Sequence, residues 1–198
     1  MKRINNIFYS LQGEGRNTGR AAVFVRFAGC NLRCSFCDTE FNEYREMSDE
    51  EILIAISNFP SRFVVLTGGE PTLQVDEAFV DLLHQCGYEV AMESNGKRQT
   101  PENLDWLTVS PKVLTEEEQE TWEKRMPDEI KVVFDEHTNP ESVIQILSPS
   151  SSVLLYLQPC DTGDAERNRV ITQACVDYIK QHPQWRLSLQ THKLIDIE

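Results

Sequence analysis

An α/β fold, laid out as an incomplete and therefore open βα barrel, is predicted for this chain by three observations. Apolar, β-branched runs alternate with stretches of helical period, the pattern of a mostly parallel sheet. About six or seven such runs and four helical stretches are present in 198 residues, too few for a closed eight-fold barrel of about 250 residues. Nearly every unusual polar string begins where a predicted strand ends.

The strands are expected at Ala21–Ala28, Phe63–Leu66, Glu89–Met92, Leu107–Val109, Ile130–Phe134, Val153–Leu157 and Arg186–Leu189. Ser48 with Glu51 three residues on reads as a capping box opening a helix to about Phe59, with Ile52, Ile56 and Phe59 on one face. Phe79, Leu82, Leu83 and Cys86 mark a second apolar stripe, and Val143, Ile144 and Leu147 a third. Val170, Ala174, Cys175, Tyr178 and Ile179 mark the fourth. Cys86 and Cys175 are thereby expected to be core fillers.

One domain spanning residues 1–198 is the simplest division of this length. The stretch Thr115–Glu129 is a strongly acidic insertion between two strands, expected to form a solvated surface helix or loop. A net charge of −13 argues against phosphate-backbone binding, so nucleic acid is not expected and a small-molecule substrate is. No apolar run approaches the roughly 18 residues of a membrane span. Met1–Asn6 holds no long hydrophobic stretch, so a cytoplasmic, reducing location is expected, with thiols free for metal.

Those thiols carry the strongest signal. Cys30, Cys34 and Cys37 form a C-x3-C-x2-C string with no fourth ligand beside it. Three thiolates can hold three corners of a cubane iron–sulfur cluster and leave the fourth iron open to a small molecule. Structural zinc wants four ligands, usually as two pairs, whereas Cys86, Cys160 and Cys175 are single and none of His84, His137, His182 and His192 is near the triplet in sequence. A redox C-x2-C pair leaves Cys30 unused. A zinc-bound structural or interaction module is the non-enzymatic alternative.

In a parallel βα architecture the carboxyl ends of the strands gather on one face, where sites are built. The cysteine loop, Thr67-Gly68-Gly69-Glu70-Pro71, Glu93-Ser94-Asn95-Gly96, Ser110-Pro111-Lys112, Asp135, Gln158-Pro159-Cys160-Asp161 and Gln190-Thr191-His192-Lys193 all fall there. Taken singly most are ambiguous. Gly68-Gly69 permits close backbone approach to a ligand but also makes a plain turn. Ser94 and Asn95 suit a ribose or a turn. Asp38 and Thr39 offer hard oxygens for Mg²⁺, or an N-cap. His192, at a strand end, is by itself more often structural. Arg26 inside an apolar strand is expected to be buried and paired with a carboxylate.

The cysteine string followed by Thr67–Pro71 resembles the radical S-adenosylmethionine (SAM) superfamily. More narrowly, Leu11-Gln12-Gly13-Glu14-Gly15, Phe24-Val25-Arg26, Gly29–Cys34, Phe36–Thr39, Ser110–Lys112 and Gln190–Lys193 resemble the 7-carboxy-7-deazaguanine synthase family. That resemblance, running from about Phe8 onward, implies a partial TIM-type barrel and a homodimer of the queuosine (7-deazapurine) pathway. It implies a carbon–nitrogen lyase converting 6-carboxy-5,6,7,8-tetrahydropterin to 7-carboxy-7-deazaguanine with loss of ammonia. SAM would bind the open iron, yield a 5′-deoxyadenosyl radical on reduction and be regenerated, with flavodoxin or ferredoxin as electron donor.

Carried over by motif, Cys30, Cys34 and Cys37 ligate the 4Fe–4S cluster. Phe36, Cys37, Asp38, Gly69, Ser110, Pro111, Lys112, Gln158, Pro159, Cys160 and Asp161 contact SAM, and Thr39 ligates Mg²⁺. Gln12, Gly13, Glu14, Arg26, Thr67 and His192 hold the pterin. The family's terminal carboxylate reaches the pterin, which makes Glu198 a candidate. A glycyl-radical enzyme activase acting on a partner protein is the alternative enzyme, although Leu11–Gly15 and Arg26 favour a small carboxylated substrate.

Overall fold

The computed structural model describes residues 1–34, 37, 43–112, 125–147 and 149–198. Among the described residues nine strands form one sheet in the order β3-β1-β2-β4-β5-β6-β7-β8-β9. They are β1 (Lys2–Leu11), β2 (Ala21–Phe27), β3 (Arg45–Met47), β4 (Phe63–Gly68), β5 (Glu89–Ser94), β6 (Trp106–Val109), β7 (Glu129–Phe134), β8 (Leu154–Pro159) and β9 (Trp185–Leu187). From β2 through β9 every pairing is parallel, whereas β1 runs antiparallel to both β2 and β3. The order begins at β3 and ends at β9 without closing, so the barrel is open.

The seven parallel strands are those the apolar runs predict. Strands β1 and β3 were not anticipated. Asn5 and Asn6 interrupt the alternation of β1, where the pairing register shifts between Ile4 and Asn6, and β3 is only three residues long. Helices are α1 (Asp49–Ser57), α2 (Glu77–Gln85), α3 (Pro140–Leu147), α4 (Ala165–Gln181) and α5 (Thr191–Leu194). The capping box forms as expected: Ser48 Oγ accepts from Glu51 N at 3.2 Å, and Glu51 Oε2 accepts from Ser48 N at 2.7 Å. Helix α1 nevertheless stops at Ser57, short of Phe59.

Cys175 is fully buried in the helix-side core with Ile52, Leu83 and Ile130. Cys86 is not. It caps α2 and is exposed, because the apolar stripe turns away once the helix ends. Residues 115–124 of the acidic stretch lie outside the described residues. The end of that stretch departs from a solvated surface: Glu129 opens β7 only 2% exposed, and its Oε2 accepts from Arg16 N at 2.9 Å. Among the described residues no helix is long and apolar enough to cross a membrane.

The two-residue period of the strands decides what faces the lumen. Val23, Val25 and Phe27 of β2 join the helix-side core, while Ala22 and Phe24 join a second cluster with Phe8, Phe63, Val65 and Ala91. Nearer the carboxyl ends the lumen-facing positions become polar. Arg26 follows Phe24, Thr67 follows Val65 and Glu93 follows Ala91; Arg26 lies opposite Thr67, and Glu93 opposite Thr108. An apolar plug thus closes one end of the lumen and a polar row lines the other.

Candidate active site

Above the plug lies a cavity of about 460 Å³. Six of the seven expected post-strand strings contribute to its wall. Asp135 does not: its Oδ1 accepts from His137 N at 2.9 Å and from Thr138 Oγ1 at 2.9 Å, closing its own turn. Within the Ser110–Lys112 string, Ser110 and Lys112 line the cavity whereas Pro111 is buried beside it. Phe36, Asp38 and Thr39 lie outside the described residues.

At one side of the cavity stand Cys30, Cys34 and Cys37, the first two half-buried and the third exposed. Burial pushes the Cys34 thiol up, the Lys112 ammonium pulls it back, and the neighbouring Cys37 and Cys30 raise it again. Mutual influence of this kind places the three sulfurs in one electrostatic neighbourhood. Among the described residues no three His, Cys, Asp or Glu side chains close around a single metal ion. A cubane instead takes each cysteine at its own corner iron, so a triplet spread along a loop suits it better than it suits zinc.

The Gly-Gly turn is more than a plain turn. A Cβ on Gly69 would sit 2.0 Å from the Gly29 carbonyl oxygen and 3.3 Å from Cys30 N. Glu70 N donates to that same carbonyl at 2.9 Å. The turn after β4 therefore rests directly on the backbone that leads into Cys30. Glu70, fully buried, accepts from Thr72 N, Thr72 Oγ1, Ser94 Oγ and Asn95 N, all within 3.0 Å. Asn95 in turn donates to Asn31 Oδ1 at 2.8 Å. One carboxylate thus locks Ser94 and Asn95 beside the cysteine loop.

A charged network covers the floor. Gln12 Nε2 donates to Glu93 Oε1 at 2.9 Å, and Thr67 Oγ1 to Glu93 Oε2 at 3.2 Å. Glu14 Oε2 accepts from Lys131 Nζ, while Glu14 Oε1 accepts from Gln158 Nε2 and Gln190 Nε2, each at 3.1 Å. Burial alone would raise the Glu14 carboxyl, but the Lys131 ammonium and these donors hold it below the ordinary glutamate value. Ser188 Oγ donates to Gln158 Oε1 at 3.0 Å and extends the network toward β9.

His192 lies in α5 rather than on a strand end. Its ring packs so closely on Gly13 that a Cβ there would meet Nδ1 at 2.1 Å, and Thr191 binds the Gly13 carbonyl through both N (3.0 Å) and Oγ1 (2.9 Å). Gly13 therefore seats α5 against the strand-β1 loop. Arg26 departs from the expected buried ion pair. It is half-buried, its guanidinium stands 5.0 Å over the Phe8 ring, and among the described residues no carboxylate pairs with it. The open lumen supplies the hydration that a closed barrel would have denied.

Cys160 is buried in the wall, its thiol raised by burial and by the nearby Asp135 and Asp161 charges. Asp161, gripped first by Lys193 Nζ at 2.8 Å and then by Gly163 N and Asn168 Nδ2, is held down at about 2. Glu198 also reaches the cavity; Asn6 Nδ2 donates to its Oε1 at 2.6 Å and Ser10 Oγ to its main-chain oxygen at 2.5 Å. Sequence reading missed Lys131 and Thr108 as wall residues, and it gave Glu93 and Gln190 no role of their own within their strings. For Lys131 a signal existed: a lysine inside the apolar run Ile130–Phe134, the same anomaly that singled out Arg26.

An open βα barrel with a cysteine triplet beside a polar lumen defines a class, and residues 24–115 match the model of the radical SAM superfamily. This is a radical SAM enzyme, a class that uses a 4Fe–4S cluster and SAM. The 7-carboxy-7-deazaguanine synthase of Bacteroides thetaiotaomicron is 48% identical across the whole chain and 99% of its own length. That of Bradyrhizobium diazoefficiens is 40% identical, covering 98% of each chain. The crystal structure of QueE from Escherichia coli superposes with a TM-score of 0.78 at 28% identity, over 95% of this chain and 93% of that one. The chain belongs to the 7-carboxy-7-deazaguanine synthase family.

Proposed function

We propose that this protein converts 6-carboxy-5,6,7,8-tetrahydropterin to 7-carboxy-7-deazaguanine with release of ammonia, in the queuosine pathway. The observation that carries the reading is a cavity with thiols at one side, an acidic hydrogen-bonding floor and, in the same wall, a guanidinium with no carboxylate partner among the described residues. A carboxylated, N–H-rich bicycle fits that polarity. The full-length likeness to synthases of this name supports the same substrate.

Cys30, Cys34 and Cys37 would hold the 4Fe–4S cluster. When bound, the cluster would supply the electron for reductive cleavage of the SAM sulfonium C–S bond. Gly69, Ser94, Asn95, Ser110, Lys112 and Gln158 to Asp161 line the SAM side. Arg26 pairs with the pterin carboxylate, with Gln12, Thr67, His192 and Glu198 around the ring. Glu14 accepts from its N–H edge, fixed for that task by Lys131, Gln158 and Gln190. A site crowded with buried polar groups rejects analogues lacking a partner by roughly 10⁴-fold. Thr39 is the proposed Mg²⁺ ligand.

A homodimer, a flavodoxin or ferredoxin donor and a cytoplasmic location complete the proposal. Exposed apolar side chains at Leu194 and Ile195 support a partner surface near α5. The test is anaerobic reconstitution with iron and sulfide, then incubation with SAM, reductant, Mg²⁺ and the carboxytetrahydropterin. The expected product is 7-carboxy-7-deazaguanine with ammonia. SAM cleavage without any deazaguanine would refute the substrate.

A further inference from the structure

Lys131 sits in the middle of β7, 5% exposed, with its ammonium bonded to Glu14 and 4.0 Å from Glu93 Oε1. Burial alone would favour loss of its proton, yet the Glu14 and Glu93 carboxylates hold its pKa above the ordinary lysine value. It is therefore a charged three-proton donor with no acceptor capacity. One proton goes to Glu14. The 4.0 Å gap to Glu93 is longer than a hydrogen bond, so a donor stands between two carboxylates in the cavity floor.

We propose that Lys131 determines the specificity of this site by donating to the 4-oxo oxygen of the pterin. Glu93 and Glu14 accept from the N–H groups on either side of that oxygen. The inference rests on the pterin reading and deepens it.

Order along the sheet supports the match. The sequence β2-β4-β5-β6-β7 places Arg26, Thr67, Glu93 and Thr108 on successive strands of the cavity wall, and on β7 Lys131 stands two residues beyond Glu129, the register partner of Thr108, with Glu14 bonded to it. Read from its C6 carboxylate, one edge of the tetrahydropterin presents N5–H, then the 4-oxo oxygen, then N3–H. Arg26 would meet the carboxylate, Glu93 the N5–H, Lys131 the oxygen and Glu14 the N3–H. Glu14 has capacity for this. Of about four acceptor positions on a carboxylate, it uses three, for Lys131, Gln158 and Gln190. An edge without an acceptor between its donors would leave a buried ammonium facing C–H or N–H, the costly kind of mismatch.

The test is equilibrium binding to the cluster-reconstituted enzyme with SAM and no reductant. Wild type and Lys131→Met are each titrated with 6-carboxytetrahydropterin and with its 4-thioxo analogue, which keeps N3–H but offers a much weaker acceptor than oxygen. Wild type is expected to prefer the oxo compound by about 10-fold, and Lys131→Met to bind both ligands within about 3-fold of each other. Equal losses on both ligands would mean that Lys131 only holds Glu14 in place, and would overturn the proposal. So would a preference that follows N1, read with a 1-deaza analogue, instead of the 4-oxygen. If Lys131→Met loses the fold, the double variant Lys131→Met, Glu14→Gln removes both charges, and the same loss of discrimination is expected. A wild type that makes the deazaguanine while the cycle shows no coupling overturns this inference alone. A wild type that neither binds nor converts the pterin overturns the functional reading with it.

Discussion

The two sides of the cavity are organised in opposite ways. Around the cysteines, order comes from backbone packing: Gly69 rests on Gly29, and Glu70 ties Ser94 and Asn95 alongside, while the thiols themselves are half-buried or exposed. On the floor, order comes from side chains bonded to one another, with Lys131 and Gln12 buried and almost every carboxylate oxygen engaged. A cluster brings its own strong bonds, so its side of the site needs only correct spacing of the thiolates. A neutral ring held by hydrogen bonds brings none, so its side must be built beforehand.

That contrast can be broken most sharply at Cys30. Cys30→Ala is expected to abolish product formation and to drop iron content after reconstitution, with little change in the unfolding midpoint of the cluster-free protein. A midpoint that fell steeply would show that the thiol carries fold stability after all.

Glu14→Gln should behave in the reverse sense, retaining iron. It leaves the Lys131 ammonium buried without its bonded carboxylate, which costs about 3–5 kcal/mol in denaturant unfolding. A loss below about 1 kcal/mol, the scale of a surface pair, would mean that the floor is not preorganised.

Gly69→Ala lies between the two. A methyl group 2.0 Å from the Gly29 oxygen must push the backbone leading to Cys30, for about 1–3 kcal/mol of overpacking. SAM affinity is expected to fall more than pterin affinity, and the opposite ranking would detach the Gly-Gly turn from the cysteine side.

The smallest effect is at Asp161. Its carboxyl is held at about 2 in the folded protein, below the roughly 3.9 of an unfolded aspartate. The stability it contributes is complete above about pH 5 and is lost as pH falls through the folded value. The stability difference between wild type and Lys193→Met should therefore be constant above about pH 5 and shrink toward about pH 2. A difference independent of pH would assign the lysine's effect to packing alone.

Much of the fold was legible because it rests on local periodicity. Each of β2 and β4 to β8 is an apolar run with buried side chains on the helix side, β9 contributes Trp185 alone, and α1 announces itself through Ser48 and Glu51. Strand β1 escaped because its pairing, not its alternation, makes it a strand: Asn5 and Asn6 break the pattern, while hydrogen bonding to β2 restores it. The convergence of post-strand strings was foreseeable from parallel topology. Asp135 failed it because a carboxylate one residue past a strand can satisfy its own turn instead.

By itself the sequence determined the cysteine spacing, the strand–helix alternation and the motifs that mark the family, since these depend on residue type and short separation along the chain. Only the tertiary structure decided which charges meet. Glu14, Glu93 and Lys131 come from three distant segments, and Arg26 is left without a carboxylate among the described residues, because pairing depends on sheet order and distance across the lumen. A buried charge is stabilised by neighbours within a few ångströms, and such neighbours are assigned by folding.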